Sequence, residues 1–235
     1  MSLKLFLALV FLAPAIVHAQ GLPRLRIDTN IYPYQSQVDN DTDLTFITNA
    51  RLPARFSYFS YVNFRGLTTA GSFEFFRSEQ TLRWSINDHL PLDLSFQGVL
   101  IDGRGNDFSQ LGVSWRVHDS PGLSDFFDRI NLIYRVTFQV KRFGSADDSA
   151  WQIEQYFKLR FPGISKRLYL SGFIDKNFDL EVGDSVPANP VVLEVQGGVR
   201  FWKDFYAVAE YRKNEFRVGN ESNLSVGVEY KFAWQ

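Results

Sequence analysis

The chain is 235 residues long, carries 25 basic and 26 acidic side chains, and contains no cysteine. The net charge is close to zero, whereas nucleic-acid-binding domains usually carry an excess of basic residues. We therefore predict no nucleic-acid partner. Without cysteine, the chain has neither a disulfide framework nor a cysteine to be lipidated. Aromatic residues make up 16% of the chain, which is high for an ordinary soluble domain.

Residues 1–19 have the composition of an export signal. Lys4 precedes an apolar run over residues 5–17, and Ala19 ends a small-residue cleavage site. The run is shorter than the roughly 20 apolar residues that a membrane-spanning helix needs. We therefore predict a cleaved signal peptide at residues 1–19 and a single mature domain at residues 20–235.

Residues 20–42 give the weakest structural pattern in the mature chain. Alternation over residues 25–31 predicts a first strand with a proline limiting each end. Asp39, Asp41 and Asp43 follow at intervals of two residues, a spacing that can bring oxygen ligands together around Ca²⁺. No glycine turn or final glutamate completes a calcium loop, so we predict a solvated acidic loop and no metal site.

From Leu44 onward, apolar and polar residues alternate along about eleven further segments, which indicates β-strands with one apolar and one polar face. With the first strand, the total is about twelve. Most segments run about 10 to 13 residues, the length of a tilted strand that spans a bilayer. In chain order, the predicted strands cover residues 44–50, 56–64, 73–86, 92–100, 108–117, 130–141, 151–161, 167–175, 191–201, 205–216 and 223–235.

Two connections have a predicted structure of their own. Lys203-Asp204 reads as a two-residue turn between neighbouring strands. The connection over residues 118–128 is longer than its neighbours, and Ser120-Pro121 either caps a single helical turn through Phe127 or begins a plain loop. The pattern does not settle which face of residues 205–216 is apolar.

Alternation alone does not say which face of the strands points outward. The polar face is charged on strand after strand, and about twelve strands enclose a space too wide for apolar side chains to fill easily. We therefore predict an all-β fold, a single antiparallel transmembrane β-barrel of about 12 strands with a polar lumen. Trp84, Trp115 and Trp234 are predicted near one end and Trp151 near the other, as in the aromatic girdles of such barrels.

The last predicted strand, residues 223–235, ends on Phe232 and Trp234 at its apolar positions. Such an ending resembles the terminal assembly signal of bacterial outer-membrane β-barrels, although here Gln235 follows the aromatic residue. The whole mature chain resembles small outer-membrane channels of Gram-negative bacteria. Strand count and composition alone point to the nucleoside-specific channel group.

This resemblance implies a location in the outer membrane, with the C-terminus in the periplasm. It also implies contact with outer-membrane lipid, and with the barrel-assembly machinery through residues 223–235. The predicted function is passive, selective diffusion of a small polar solute, without a cofactor. The charged residues predicted to line its pathway are Arg83, Arg116, Arg135, Glu154, Glu194, Arg200 and Glu229.

Opposite charges on facing walls would create a transverse field that orients dipolar solutes. If lumenal, Tyr61, Tyr156 and Tyr169 would offer stacking surfaces for a sugar or base ring. The same charges could instead form ion pairs that plug the barrel. The alternative to a channel is therefore a non-conducting structural or adhesion barrel.

A lipid-acting barrel enzyme is the alternative from another class. After signal removal, His89 and His118 are the remaining histidines, and His118-Asp119-Ser120 brings together the residue types of a nucleophilic site. Neighbours in sequence do not thereby have the geometry of a triad. Both histidines fall on the predicted periplasmic side, whereas an enzyme of surface lipids needs them near the outer leaflet. We therefore predict that the protein is not an enzyme.

Overall fold

The structure is a computed structural model that describes residues 25–33, 42–67, 73–103, 107–144, 149–217, 219 and 221–234. The predicted signal peptide, together with Asp39 and Asp41 of the predicted acidic loop, lies outside the described residues. Within these ranges, no helix has both the length and the apolar character needed to cross a membrane.

The described residues form twelve strands, each antiparallel to its neighbours and arranged in chain order. They are β1 (Leu25–Pro33), β2 (Thr42–Arg51), β3 (Phe56–Leu67), β4 (Phe73–Ser85), β5 (Leu92–Ile101), β6 (Phe108–Arg116), β7 (Leu132–Phe143), β8 (Trp151–Arg160), β9 (Leu168–Phe178), β10 (Val191–Trp202), β11 (Phe205–Asn214) and β12 (Ser222–Trp234). β1 pairs with β12, which closes the sheet into a barrel. Closure removes the sheet edges, so backbone hydrogen bonds continue around the wall, as a bilayer requires.

We call the barrel end at which Leu25 pairs with Trp234 the terminal end. The odd-numbered strands run away from this end and the even-numbered strands return to it. Connections at the terminal end cover residues 52–55, 86–91, 117–131, 161–167 and 203–204. As predicted, Trp84 and Trp115 lie near this end and Trp151 lies at the opposite end.

The predicted turn at Lys203-Asp204 is confirmed. β10 ends at Trp202 and β11 begins at Phe205, and Lys203 takes a φ of 42°. The Asp204 carbonyl accepts a hydrogen bond of 3.0 Å from the backbone N–H of Lys231. The turn therefore joins β10 to β11 and also forms a hydrogen bond with β12 at the terminal end.

The long connection at the terminal end contains a 3₁₀ turn, Val117–Asp119, and a short helix, α1 (Ser124–Ile130). Of the two alternatives that the sequence left open, the helical one is present, but Ser120 does not cap the helix. Leu123 precedes α1 and no side chain caps it. The Ser120 hydroxyl instead accepts a 2.8 Å hydrogen bond from the Trp115 indole N–H.

Side-chain burial follows the alternation of each strand and places the polar face inside. In β5, Asp93, Ser95 and Gln97 are buried, whereas Leu94 and Phe96 are each 47% exposed. The buried side chains of the described residues are mostly polar, and many of the large apolar ones are exposed. An apolar exterior around a polar lumen is the arrangement of a transmembrane barrel, so the predicted fold class is confirmed.

Strand register settles the faces of β11, which the sequence pattern left open. Glu210 lies opposite the lumenal Gln196 of β10, and Val208 lies opposite Gly198. Arg212 and Tyr206 share this face, whereas Ala207 and Ala209 point outward. A mixture of apolar and charged residues on one face explains why alternation gave no answer here.

Unbroken alternation along residues 130–141 predicts Lys141 on the polar face together with Gln139, but the structure places Lys141 on the outer side of the wall. A register shift between Leu111 and Gly112 of β6 changes the pairing with β7. Beyond this β-bulge, Arg142 pairs with the lumenal Gln110, and Lys141 pairs with Leu111 on the exterior. The prediction for Lys141 was therefore wrong, because a bulge breaks the period of two.

Candidate functional site

The first group of lumenal charges, the Arg83 cluster, joins non-adjacent strands. Arg83 of β4 forms an ion pair of 3.4 Å with Glu154 of β8. Arg135 of β7 is close enough to Arg83, Arg116 and Glu154 to interact with them electrostatically. Since β4 and β8 are not neighbours in the sheet, the pair crosses part of the lumen and narrows it.

Arg116 mainly holds the terminal end together. Its guanidinium binds the Asp93 carboxylate, the Asp119 carboxylate at 2.8 Å and the Leu90 carbonyl at 3.0 Å. It also donates a hydrogen bond of 3.0 Å to the Ser85 hydroxyl. These contacts tie β6 to the 86–91 turn and leave Arg116 little capacity to bind a solute.

A second group, the Arg212 cluster, lies further from the terminal end. The guanidinium of Arg212 in β11 contacts Glu194 of β10 at 2.6 Å and Asp43 of β2 at 3.2 Å. Glu210 lies 3.5 Å away on the same strand, and Arg65 of β3 binds Asp43 at 3.3 Å. The cluster therefore links β10 and β11 to β2 and β3 across the seam at which the barrel closes.

The position of Asp43 corrects a prediction. This residue was predicted to belong to a solvated acidic loop, but it lies in β2 and its side chain is fully buried in the lumen. Its carboxylate accepts hydrogen bonds from Asn63, Arg65 and Arg212. In the described part of the chain, no group of three or more acidic or histidine residues is arranged to hold a metal ion.

A third group, the Tyr169 cluster, occupies the wall formed by β9 to β12. The Tyr169 hydroxyl donates a hydrogen bond to Glu229 and accepts one from Gln196. The Lys231 ammonium lies 3.6 Å from the centre of the Tyr169 ring and 2.9 Å from Glu229. Tyr169 packs over Gly198, where any side chain would collide with its ring.

Buried amides lie between these charged groups. Gln110 of β6 donates hydrogen bonds to Gln97 of β5 at 2.6 Å and to Gln152 of β8 at 3.1 Å. Gln139 of β7 is fully buried beside them. Because β6 and β8 are separated by β7, the amides also reach across the concave inner wall, and the lumen is narrow at this level.

A cavity of about 280 Å³ opens at the terminal end of the lumen. Its lining includes Arg51 and Asn49 of β2, Ser57 of β3, and Arg83 and Arg135. The Phe59 ring also lines it and lies 5.9 Å from the Arg83 guanidinium carbon. The cavity thus reaches from β2 to β7 and presents three guanidinium groups.

The structure does not gather the seven predicted pathway residues into one site. Arg83, Arg116, Arg135 and Glu154 lie together, Glu194 belongs to the Arg212 cluster, and Glu229 belongs to the Tyr169 cluster. Arg200 shares the lumenal face of β10, opposite Tyr206. The three predicted tyrosines lie on lumenal faces, opposite Glu79, Arg135 and Gly198 respectively. The role of these tyrosines and of the seven charged residues in solute passage stays a prediction.

His118, Asp119 and Ser120 do not form a catalytic triad. The His118 Nδ1 bonds to the Tyr134 carbonyl at 2.8 Å, and its Nε2 lies 3.3 Å from Asp119. Ser120 is engaged with Trp115 and the Arg116 carbonyl instead of the imidazole. Both ring nitrogens are therefore occupied, and neither is placed to take a proton from Ser120.

Sequence reasoning missed Asp43, Arg212 and Gln110 as parts of the lumen. Asp43 was assigned to a loop because polar residues precede it without a break. Arg212 lies in the strand whose faces the pattern did not resolve. Extending the alternation of β2 backward from Thr45 would have placed Asp43 on the lumenal face. No pattern along the chain could have paired Arg212 with Asp43, since their contact depends on barrel closure.

No protein-family model matches the chain, and a comparison with curated protein sequences returned no match. The fold is similar to that of a solved structure of KdgM porin, with a TM-score of 0.51 and 13% sequence identity, over 88% of this chain and 99% of that one. The similarity to KdgM porin in complex with disordered oligogalacturonate has a TM-score of 0.48 and 12% identity, over 89% and 99% of the two chains.

A more distant similarity is to OccK5 (OpdH) of Pseudomonas aeruginosa, with a TM-score of 0.40 and 11% identity, over 88% of this chain and 63% of that one. The similarity to the first KdgM porin structure, at a TM-score of 0.51, shows a shared fold. It confirms the predicted resemblance to small outer-membrane β-barrel channels at the level of architecture. The finer resemblance to nucleoside-specific channels stays a prediction.

Proposed function

We propose that this protein is an outer-membrane channel through which a small polar solute diffuses passively. The observation that carries the proposal is the charged lumen inside a closed barrel with an apolar exterior. A bilayer favours the exposed leucine, phenylalanine and valine side chains, whereas lumenal arginines and carboxylates favour water and polar solutes. The absence of a competent base at His118 removes the sequence argument for an enzyme.

The orientation follows the resemblance noted in the sequence. The terminal end faces the periplasm, and β12 is the strand through which the barrel-assembly machinery recognises the chain. Outer-membrane lipid surrounds the apolar face. Export through a cleaved signal at residues 1–19 is part of the same proposal.

The lumen's cross-contacts support a narrow channel. The Arg83–Glu154 ion pair and the buried amides restrict passage to small solutes. The same contacts favour a second candidate, a barrel that conducts nothing and serves a structural or adhesive role. The two candidates differ in whether the pair leaves an open path beside it.

Planar-bilayer conductance of the refolded protein separates these candidates. We expect discrete single-channel steps from the wild-type protein, and larger steps from the double variant Arg83→Ser/Glu154→Ser, which removes the narrowing pair without leaving either charge unpaired. The matched control is Arg129→Ser/Asp125→Ser, which removes an equal and opposite pair of charges from α1, outside the lumen.

If the double variant conducts and the wild-type protein does not, the wild-type barrel is plugged. If none of the three refolded proteins conducts, the proposal that the protein is a channel is rejected.

A further inference from the structure

Basic residues line the terminal end of the lumen on every even-numbered strand. These strands end there, and each carries an arginine or lysine on its lumenal face close to its last residue. We call this set the basic ring. Its members are Arg51, Arg83, Arg116, Arg160, Arg200 and Lys231.

Carboxylates offset only part of the charge of the basic ring. Three of its members have carboxylate partners: Arg116 binds Asp93, Arg83 binds Glu154, and Lys231 binds Glu229. Glu194 belongs to the Arg212 cluster, further along the lumen. For Arg51, Arg160 and Arg200, the described residues provide no carboxylate within 4 Å. The mouth of the lumen therefore has a net positive charge.

The cavity is the point at which this charge is concentrated. Arg51, Arg83 and Arg135 line it from different strands, and no described carboxylate forms an ion pair with Arg51 or Arg135. Arg83 is 6% exposed, and its buried Nε has no hydrogen-bond partner. An unpaired donor on a buried guanidinium is costly unless an acceptor from outside the chain satisfies it.

The remaining lining groups suit a small oxygen-rich anion. The Asn49 amide and the Ser57 hydroxyl add uncharged hydrogen-bonding groups beside the guanidiniums. Guanidinium groups bind carboxylates and phosphates through paired, nearly parallel hydrogen bonds. A cavity of about 280 Å³ limits the ligand to a small molecule or to one end of a larger one.

We infer that the terminal-end cavity is an anion-binding site that makes the channel selective for small carboxylate or phosphate solutes. This inference rests on the proposed function, since selectivity requires passage. The basic ring attracts anions to the mouth, and Arg51, Arg83 and Arg135 bind their oxygens. Cations are repelled by the same charges.

The reversal potential under a KCl gradient tests the selectivity. We expect the wild-type channel to favour Cl⁻ over K⁺, and the double variant Arg51→Gln/Arg135→Gln to reduce this preference on the order of fourfold, because it removes two lumenal charges. Both glutamines keep a polar side chain without the charge, and neither arginine has an ion pair to lose among the described residues. Arg129→Gln, on α1 outside the lumen, is the control and should leave the ratio unchanged.

Binding is measured separately, on detergent-refolded protein, by titration calorimetry with inorganic phosphate and with acetate. We expect the wild-type protein and Arg129→Gln to bind at least one of these anions, and the double variant to bind neither. Binding lost only in the double variant supports the site even if the barrel does not conduct. Conductance without anion preference, or undiminished binding by the double variant, overturns the inference while leaving the channel in place.

Discussion

Among the glycines of the described residues, Gly172 has the least room for a side chain. A Cβ at this position would overlap the backbone carbonyl oxygen of Glu194 and lie 2.9 Å from the Phe157 ring. The carbonyl belongs to the neighbouring strand and cannot move without disturbing the ladder. Glycine therefore allows β9 and β10 to approach closely beneath an outward-facing aromatic ring.

We expect Gly172→Ala to lower the free energy of unfolding by about 1–3 kcal/mol, because the added methyl group forces the wall apart. Urea titration in lipid vesicles, followed by tryptophan fluorescence, measures the change. The control is Gly98→Ala on the outer face of β5, where a Cβ meets nothing within 4 Å. Equal effects of the two substitutions would contradict this account of Gly172.

The lumenal charges also act as individual residues on the structure. Arg212 binds carboxylates from two other strands, and Asp43 binds two arginines. Such networks are expensive to bury and are stable only when each member keeps its partners. The Arg212 cluster therefore specifies how the first strands meet the last ones, in addition to shaping the lumen.

At the scale of elements, α1 is the part of the described chain that departs most from the repeating hairpins. Its Phe127 is buried and stacks on Tyr134, with ring centres 6.4 Å apart and planes inclined by 14°. Tyr134 lies on the outer face of β7, so α1 packs against the outside of the wall. Leu123, Phe126 and Ile130 remain exposed beside it.

We expect the exposed apolar side of α1 to lie in the interfacial layer of the bilayer. Since the chain contains no cysteine, a single introduced cysteine can carry a spin label. A label at Phe126→Cys should collide mainly with oxygen dissolved in lipid, and one at Asp128→Cys mainly with a water-soluble nickel chelate. Equal access of the nickel chelate to both labels would show that α1 stands clear of the membrane.

At the scale of the whole molecule, the surface and the interior have exchanged the roles that they have in a soluble protein. Phe96, near the middle of β5, is 47% exposed, while the neighbouring Gln97 is 3% exposed. In the proposed membrane location, lipid surrounds the outer face, and the polar side chains solvate one another within the lumen. Stability of the inserted barrel therefore depends on an apolar outer face across the middle of the strands.

We expect Phe96→Arg to destabilise the inserted barrel by about 2–4 kcal/mol, the cost of an arginine near the bilayer midplane. Ile164→Arg is the matched control, since Ile164 is 78% exposed in a terminal-end connection and should cost about 0–1 kcal/mol. Urea unfolding in vesicles measures both. A similar cost at the two positions would contradict the membrane-spanning placement of β5.

The sequence by itself determined the series of strands, the inward and outward faces of most of them, and the polar character of the lumen. Each of these follows from the period of two, which is a local property: the order Leu94, Ser95, Phe96, Gln97 already separates the outer face from the lumen. The two-residue turn at Lys203-Asp204 was predictable for the same reason, because it depends on adjacent residues alone.

Only the tertiary structure decided which lumenal groups meet. Arg83 reaches Glu154 and Arg212 reaches Asp43 because strand register and closure set their heights and directions, and neither is encoded at any fixed spacing. The β-bulge at Leu111 and Gly112 likewise moved Lys141 outward where alternation placed it inside. The sequence therefore predicted a charged lumen, and closure of the barrel brought Arg51, Arg83 and Arg135 around one cavity.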